Sequence, residues 1–174
     1  MYTVGNKLPD FKITGVRADN SFFEITNNTF GRKWKVIVFY PKDFTFVCPT
    51  EIVGYDSLHE QFGLRNAKLL IGSVDNEYVK IAWKQADPQL TNIRSTMFAD
   101  QNLELGLAKQ LNILTSGGVA LRATFIVDDN DVIQHVTINN LDTGRNPEET
   151  LRILDALQTG EKTACARPIG GATL

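Results

Sequence analysis

Hydrophobic positions along the chain change period repeatedly, and the changes predict strands alternating with helices. Trp34 to Tyr40 is an apolar run rich in β-branched and aromatic residues, the pattern of a strand buried on both faces. Ile52, Tyr55, Leu58 and Phe62 then recur at spacings of three and four, which predicts a helix. A strand is expected at Ala67 to Val74, an amphipathic helix at Glu77 to Gln85, a short strand at Thr96 to Ala99 and a helix at about Leu103 to Leu111. Ala123 to Val127 and Val132 to Ile138 read as antiparallel strands joined by the turn-forming Asp128-Asp129-Asn130-Asp131. A last helix, Pro147 to Gln158, starts with Asn146, Pro147, Glu148 and Glu149 and carries Leu151, Leu154 and Leu157 on one stripe. Phe22-Phe23-Glu24-Ile25 predicts one strand of an N-terminal hairpin. This order implies an α/β fold, a mixed sheet flanked by helices. Residues 1–160 form the expected domain, and the small, polar, Gly/Pro-containing segment 161–174 a mobile tail.

Composition narrows the class without naming a chemistry. A chain of 174 residues with 43% hydrophobic and 22% charged residues suits a single globular domain. A formal charge of −2 with no basic stripe argues against nucleic-acid binding. No apolar run approaches the roughly 20 residues that span a bilayer, and Met1-Tyr2-Thr3-Val4-Gly5 lacks the charged-then-apolar pattern of a secretion signal. A cytoplasmic location is expected, where two cysteines point to redox chemistry rather than to a structural staple.

The chemistry centres on Cys48, placed where the strand Trp34–Tyr40 ends and a helix begins. Pro49 suits the first helical position and Glu51 the first turn. Unpaired N–H groups and the positive end of the macrodipole at such a position favour an anionic sulfur. A free thiol is only about 3% ionised at pH 7, so ionisation alone contributes roughly thirty-fold. Larger rates require groups that stabilise the transition state, for which Thr45 and a distant arginine are candidates.

The run Pro41-Lys42-Asp43-Phe44-Thr45-Phe46-Val47-Cys48-Pro49-Thr50-Glu51 resembles the active-site signature of peroxiredoxins. The likeness is to the typical two-cysteine subgroup that includes the bacterial alkyl hydroperoxide reductase C proteins, and it extends over essentially the whole chain. It implies a thioredoxin-like fold and a thiol-dependent peroxidase needing no cofactor. Cys48 would be the peroxidatic nucleophile, Pro41 its shield and Thr45 a hydrogen-bond partner of the peroxide. Arg122 matches the active-site arginine, Glu51 and Arg145 a supporting polar network, and Trp83 a nearby tryptophan. Each has a plainer reading: Pro41 marks a strand end, Thr45 a turn, Arg122 a surface ion pair, Glu51 a first-turn acid and Trp83 core packing. Arg145 sits where it could simply neutralise Glu148 and Glu149.

Cys165 decides the subclass. The resemblance implies that it resolves the sulfenic acid on Cys48 of a partner subunit, although Ala164-Cys165-Ala166 departs from the commoner Val-Cys-Pro context. It further implies a hydroperoxide substrate, a dithiol reductant (thioredoxin or a dedicated disulfide reductase), and a homodimer paired through the edge strand Val132–Ile138, assembling into decamers. Peroxide-sensitive relatives carry a Gly-Gly-Leu-Gly insertion and a further helix bearing Tyr-Phe. Gln89-Leu90-Thr91-Asn92-Ile93-Arg94 occupies the first region here and the chain ends at Leu174, so resistance of Cys48 to overoxidation is expected. The absence of a Cys-x-x-Cys pair disfavours a thiol-disulfide oxidoreductase. The only histidines, His59 and His135, sit in polar-flanked contexts that suit surface or packing roles better than hydrolase or zinc chemistry. A peroxide sensor or holdase chaperone on the same oligomer is the alternative.

Overall fold

A computed structural model of the protein describes residues 2–102 and 104–174. Its strands are β1 (Lys12–Val16), β2 (Phe22–Thr26), β3 (Trp34–Phe39), β4 (Ala67–Ser73), β5 (Thr96–Ala99), β6 (Arg122–Val127) and β7 (Ile133–Asn139). Its helices are α1 (Cys48–Ser57), α2 (His59–Leu64), α3 (Glu77–Ala86), α4 (Leu107–Gln110) and α5 (Pro147–Gln158). The strands form one mixed sheet in the order β2-β1-β5-β4-β3-β6-β7. β3, β4 and β5 run parallel, while β6 and β7 pair antiparallel, as do β1 and β2. β7 lies at the sheet edge, as its lack of proline allows.

Alternation along β3 splits the core between the two faces of the sheet. Val36, Val38 and Tyr40 pack with Cys48, Ile52 and Tyr55 of α1, Phe62 of α2, Trp83 of α3 and Leu151 and Leu154 of α5. Ile37 and Phe39 face the other way, onto Phe98, Phe125, Leu107 and Leu111. Helices α1, α2, α3 and α5 therefore cover one face, and α4 covers part of the other.

The structure refines several expectations. The helix predicted through Phe62 breaks at Leu58, where φ is −99°. Just before the break the Ser57 hydroxyl bonds back to the Gly54 carbonyl at 2.7 Å, and the Asp56 carboxylate accepts the N–H groups of Arg94 and Ser95 at 3.0 and 2.7 Å. The helix expected from Leu103 starts at Leu107, and Leu103 itself, like Met1, lies outside the described residues. Asp100 accepts the N–H groups of Leu107 and Ala108 at 2.9 and 2.6 Å and so caps α4 from the end of β5. The hairpin partner of β2 is β1, a short strand in which Gly15 pairs with Phe23.

Segment 161–174 has no helix or strand but is fastened rather than loose. Arg167 is buried and pairs with Asp155 of α5 at 2.8 Å, its Nε donates to the Gly171 carbonyl at 2.8 Å, and the Gly170 N–H donates to the same carboxylate at 3.0 Å. Asp155 also pairs with Arg65 at 3.2 Å. A composition rich in small residues concealed this anchor.

Candidate active site

Cys48 is the first residue of α1, one position earlier than Pro49 predicted, and Val47 is the N-cap without a side-chain hydrogen bond. The orphan N–H groups of this first turn are therefore not consumed by a capping side chain. Cys48 is only 1% exposed. Its sulfur sits at the carboxyl end of β3, where strand direction and helix start converge.

Arg122 comes from the first position of β6. Its Nη1 lies 3.5 Å from the Cys48 Sγ and donates to Glu51 Oε2 at 2.6 Å, while its Nε donates to the Leu141 carbonyl at 2.6 Å. Glu51 lies three residues after Cys48 on α1 and holds the guanidinium beside the sulfur. Its other partner is Arg145, whose Nε and backbone N–H both donate to Glu51 Oε1, at 2.8 and 2.9 Å, and whose Nη2 donates to Oε2 at 2.8 Å. Arg145 also donates to the Ala123 carbonyl and the Thr124 hydroxyl, at 2.9 and 3.2 Å. Arg122 is buried rather than in a surface ion pair, Glu51 is both the first-turn acid of α1 and the partner of two arginines, and Glu149 pairs with Arg152 rather than with Arg145.

Two cations around one carboxylate leave a net positive charge next to the sulfur. Burial by itself pushes the Glu51 carboxyl up, but the Arg145 hydrogen bonds and the charges of Arg145 and Arg122 outweigh it and hold the group below the 4.5 of a free glutamate. A depressed carboxyl stabilises the fold fully above its unfolded value and loses that contribution as pH falls through its folded value. The thermal midpoint of the wild type is therefore expected to fall more steeply below about pH 4.5 than that of Glu51→Gln. Calorimetry across pH 3 to 6 checks this; parallel profiles would contradict it.

Thr45 and Pro41 line the loop between β3 and α1. Pro41 is buried at the strand end. The Thr45 hydroxyl donates to the Lys42 carbonyl at 2.9 Å, so its donor is engaged while its oxygen lone pairs remain. Trp83 is buried, packs on Tyr40 with centroids 6.0 Å apart and stacks on Phe44 at 5.7 Å, an anchor for the loop. Cys165 is not drawn to this site: it is exposed and free, as Cys48 is free, beyond the end of α5.

Sequence patterns missed one group beneath the loop. Lys80 of α3 is fully buried and meets Asp43 and Ser73 there. Burial pushes its ammonium down from the ordinary lysine range, opposed chiefly by the Asp43 charge. No signal short of the fold finds it, because lysine on an amphipathic helix is normally solvated. Among the described residues no cluster of ligating side chains suits a metal ion, and no helix is long and apolar enough to cross a membrane.

A thioredoxin-like mixed sheet carrying a buried helix-start cysteine against a clamped arginine defines a thiol-reactive class of protein. The chain belongs to the AhpC/TSA family, which it matches over residues 4–136. Alkyl hydroperoxide reductase C of Mycolicibacterium smegmatis is 40% identical over all of this chain and 94% of its own. The chloroplastic 2-Cys peroxiredoxin of Hordeum vulgare is 40% identical over 96% of this chain and 80% of its own. Among solved structures, reduced 2-Cys peroxiredoxin of Plasmodium vivax superposes with a TM-score of 0.90 at 38% identity, covering 97% of this chain and 91% of its own. Mycobacterium tuberculosis AhpC gives 0.86 at 37% identity, covering 95% and 97%.

Proposed function

We propose that the protein is a thiol-dependent peroxidase that reduces hydrogen peroxide and organic hydroperoxides, with Cys48 as nucleophile. The observation that carries this reading is the Arg122 guanidinium fixed 3.5 Å from the Cys48 sulfur by Glu51. The names and structures of relatives covering nearly the whole chain support it.

The Cys48 thiolate attacks one oxygen of the O–O bond. An S–O bond forms, the O–O bond breaks, and the leaving oxygen departs with a proton as water or alcohol. Arg122 and the free N–H groups of the α1 first turn stabilise the negative charge moving along this line, and the Thr45 oxygen accepts the hydrogen bond of the incoming peroxide. Pro41 shields the sulfur from bulk water. The Cys48 sulfenic acid then condenses with Cys165 of the partner subunit: an S–S bond forms and water leaves. Because Cys48 is buried, the first turn of α1 and its preceding loop must open for this step. A dithiol, thioredoxin or a dedicated disulfide reductase, returns both cysteines to thiols and itself becomes a disulfide. A cytoplasmic location belongs to the same reading, since a reducing compartment supplies such dithiols.

Catalytic consumption of hydroperoxide over many equivalents with a dithiol system tests the activity. Consumption that stops at one equivalent per subunit with every reductant would instead favour a sensor.

Dimers through β7 and their assembly into decamers complete the proposal. Phe46 is 97% exposed and Phe44 is half-exposed on the active-site loop, an apolar pair that a second dimer would cover. Light scattering of the reduced protein is expected to show species larger than a dimer, and Phe46→Asp to reduce them to dimers; a wild type that is monomeric would contradict it. Gln89–Arg94 forms tight turns here, with Leu90 N–H to the Asp87 carbonyl at 2.9 Å and Ile93 N–H to the Leu90 carbonyl at 3.2 Å. With no Gly-Gly-Leu-Gly insertion in that region, Cys48 is expected to stay largely free of sulfinate after turnover in millimolar peroxide. Mass spectrometry checks this, and extensive early sulfinate would contradict it.

A further inference from the structure

Lys80 and Trp83 lie three residues apart on α3, so they share one face, and they hold consecutive residues of the loop that precedes Cys48. Lys80 Nζ stands 3.3 Å from each Asp43 carboxylate oxygen, 2.8 Å from the Ser73 Oγ and 3.5 Å from the Tyr40 hydroxyl. Ser73 in turn donates to Asp43 Oδ1 at 2.7 Å, and the Asp43 N–H donates to Asp75 at 2.7 Å. Lys80 and Ser73 are 0% exposed and Asp43 is 4% exposed, so this ionic contact is shut off from bulk solvent. Trp83 stacks on Phe44, the next residue.

Phe44 has a φ of +57°, a left-handed conformation that its Cβ disfavours. The closed loop thus carries local strain that its fastenings must overcome. A buried ion pair is a poor way to gain net stability, since apolar side chains of the same volume often serve as well. Its distinguishing property is sharpness: separating the partners strands a desolvated charge, so partial opening is penalised. The pair joins α3 and the end of β4 to the segment that must move before a second thiol reaches the Cys48 sulfur.

We propose that Lys80 is a positioning residue that latches the Cys48 loop closed through Asp43 and thereby sets how the sulfenic acid divides between disulfide formation and overoxidation. The inference rests on the two-cysteine cycle proposed above. In the closed loop the sulfenate meets only another hydroperoxide, which transfers a second oxygen to sulfur, gives the sulfinate and leaves as water or alcohol. In the open loop it meets Cys165. Loss of the latch shifts the balance toward opening.

Loop opening is read directly, without the cycle, as the rate at which iodoacetamide alkylates Cys48 in a Cys165→Ser background. Lys80→Met, Lys80→Gln and Asp43→Asn are each expected to raise this rate roughly tenfold, equivalent to about 1.4 kcal/mol of closed-state stabilisation. With Cys165 present, the same changes are expected to speed disulfide formation and to lower sulfinate per turnover by a similar factor. Leu111→Ala, in the core on the opposite face of the sheet, serves as the destabilised control and should lower the thermal midpoint without altering either ratio. Folded latch variants with wild-type alkylation rates, or an equal effect from Leu111→Ala, would overturn the role of Lys80. Faster alkylation with no disulfide in the wild type would uphold the latch and overturn the cycle instead.

Discussion

Cys48→Ser is expected to lower hydroperoxide reduction by roughly 10⁴-fold or more, to the background rate, while leaving the fold intact. Cys48 is 1% exposed, and serine, of nearly the same shape, fits there without a void and keeps Arg122 as a hydrogen-bond partner for its hydroxyl. The hydroxyl fails chemically. It is un-ionised near neutral pH, and its oxygen has no counterpart to the sulfenic acid that stores the transferred oxygen between half-reactions. Rapid-mixing measurement of peroxide consumption reads the loss, with circular dichroism and the thermal midpoint as the check on folding. Residual activity within tenfold of the wild type would place the nucleophile elsewhere, and Cys165 would be the remaining thiol.

Arg122→Met is expected to lower kcat/KM for hydrogen peroxide by about 10²- to 10³-fold, the usual effect of removing a preorganised donor to developing negative charge. Methionine approximates the length of the side chain and retains none of its donors. The fold should tolerate the change, because Glu51 keeps three donors from Arg145 and does not become an unpaired buried charge. Arg122→Lys should fall between, since an ammonium cannot reach the sulfur, the Glu51 carboxylate and the Leu141 carbonyl from one planar fork. A kcat/KM within threefold of the wild type would contradict the assignment of Arg122 to the transition state and leave it a structural partner of Glu51.

The parts of this site visible in sequence were those written in local pattern. A β-branched apolar run followed by Pro49, Glu51 and a three-four periodicity is enough to place Cys48 at a strand-to-helix junction. The convergence of Arg122 and Arg145 on Glu51 is not local. The partners lie 71 and 94 positions away, and only the β3–β6 pairing and the approach to α5 bring them together. Their residue identities came from the family signature, and their geometry from the fold. The latch beneath the loop was invisible for the opposite reason: Lys80 lies on an amphipathic helix whose charged positions ordinarily face water. Nothing in its neighbourhood announces that Asp43 and Ser73 will be buried against it.

The boundaries that slipped did so where tertiary bonds compete with helix periodicity. Leu58 continues the apolar stripe, yet the Ser57 hydroxyl takes the Gly54 carbonyl, the Arg94 guanidinium reaches the Asp56 carbonyl and the Leu58 N–H turns to Tyr55, so α1 ends one residue earlier. The contacts of the tail were likewise not legible. Its glycines and Pro168 suggest mobility, whereas a single buried Arg167 ties it to Asp155. Cys165 is exposed on this segment, two residues before Arg167.

The two-cysteine cycle is tested most directly by adding one equivalent of hydrogen peroxide to the reduced wild type, Cys48→Ser and Cys165→Ser, followed by non-reducing electrophoresis and peptide mapping. A covalent dimer is expected in the wild type, joined between Cys48 of one protomer and Cys165 of the other and absent from both variants. A wild type whose protomers stay unlinked while Cys48 is oxidised would contradict the cycle and assign resolution to an external thiol.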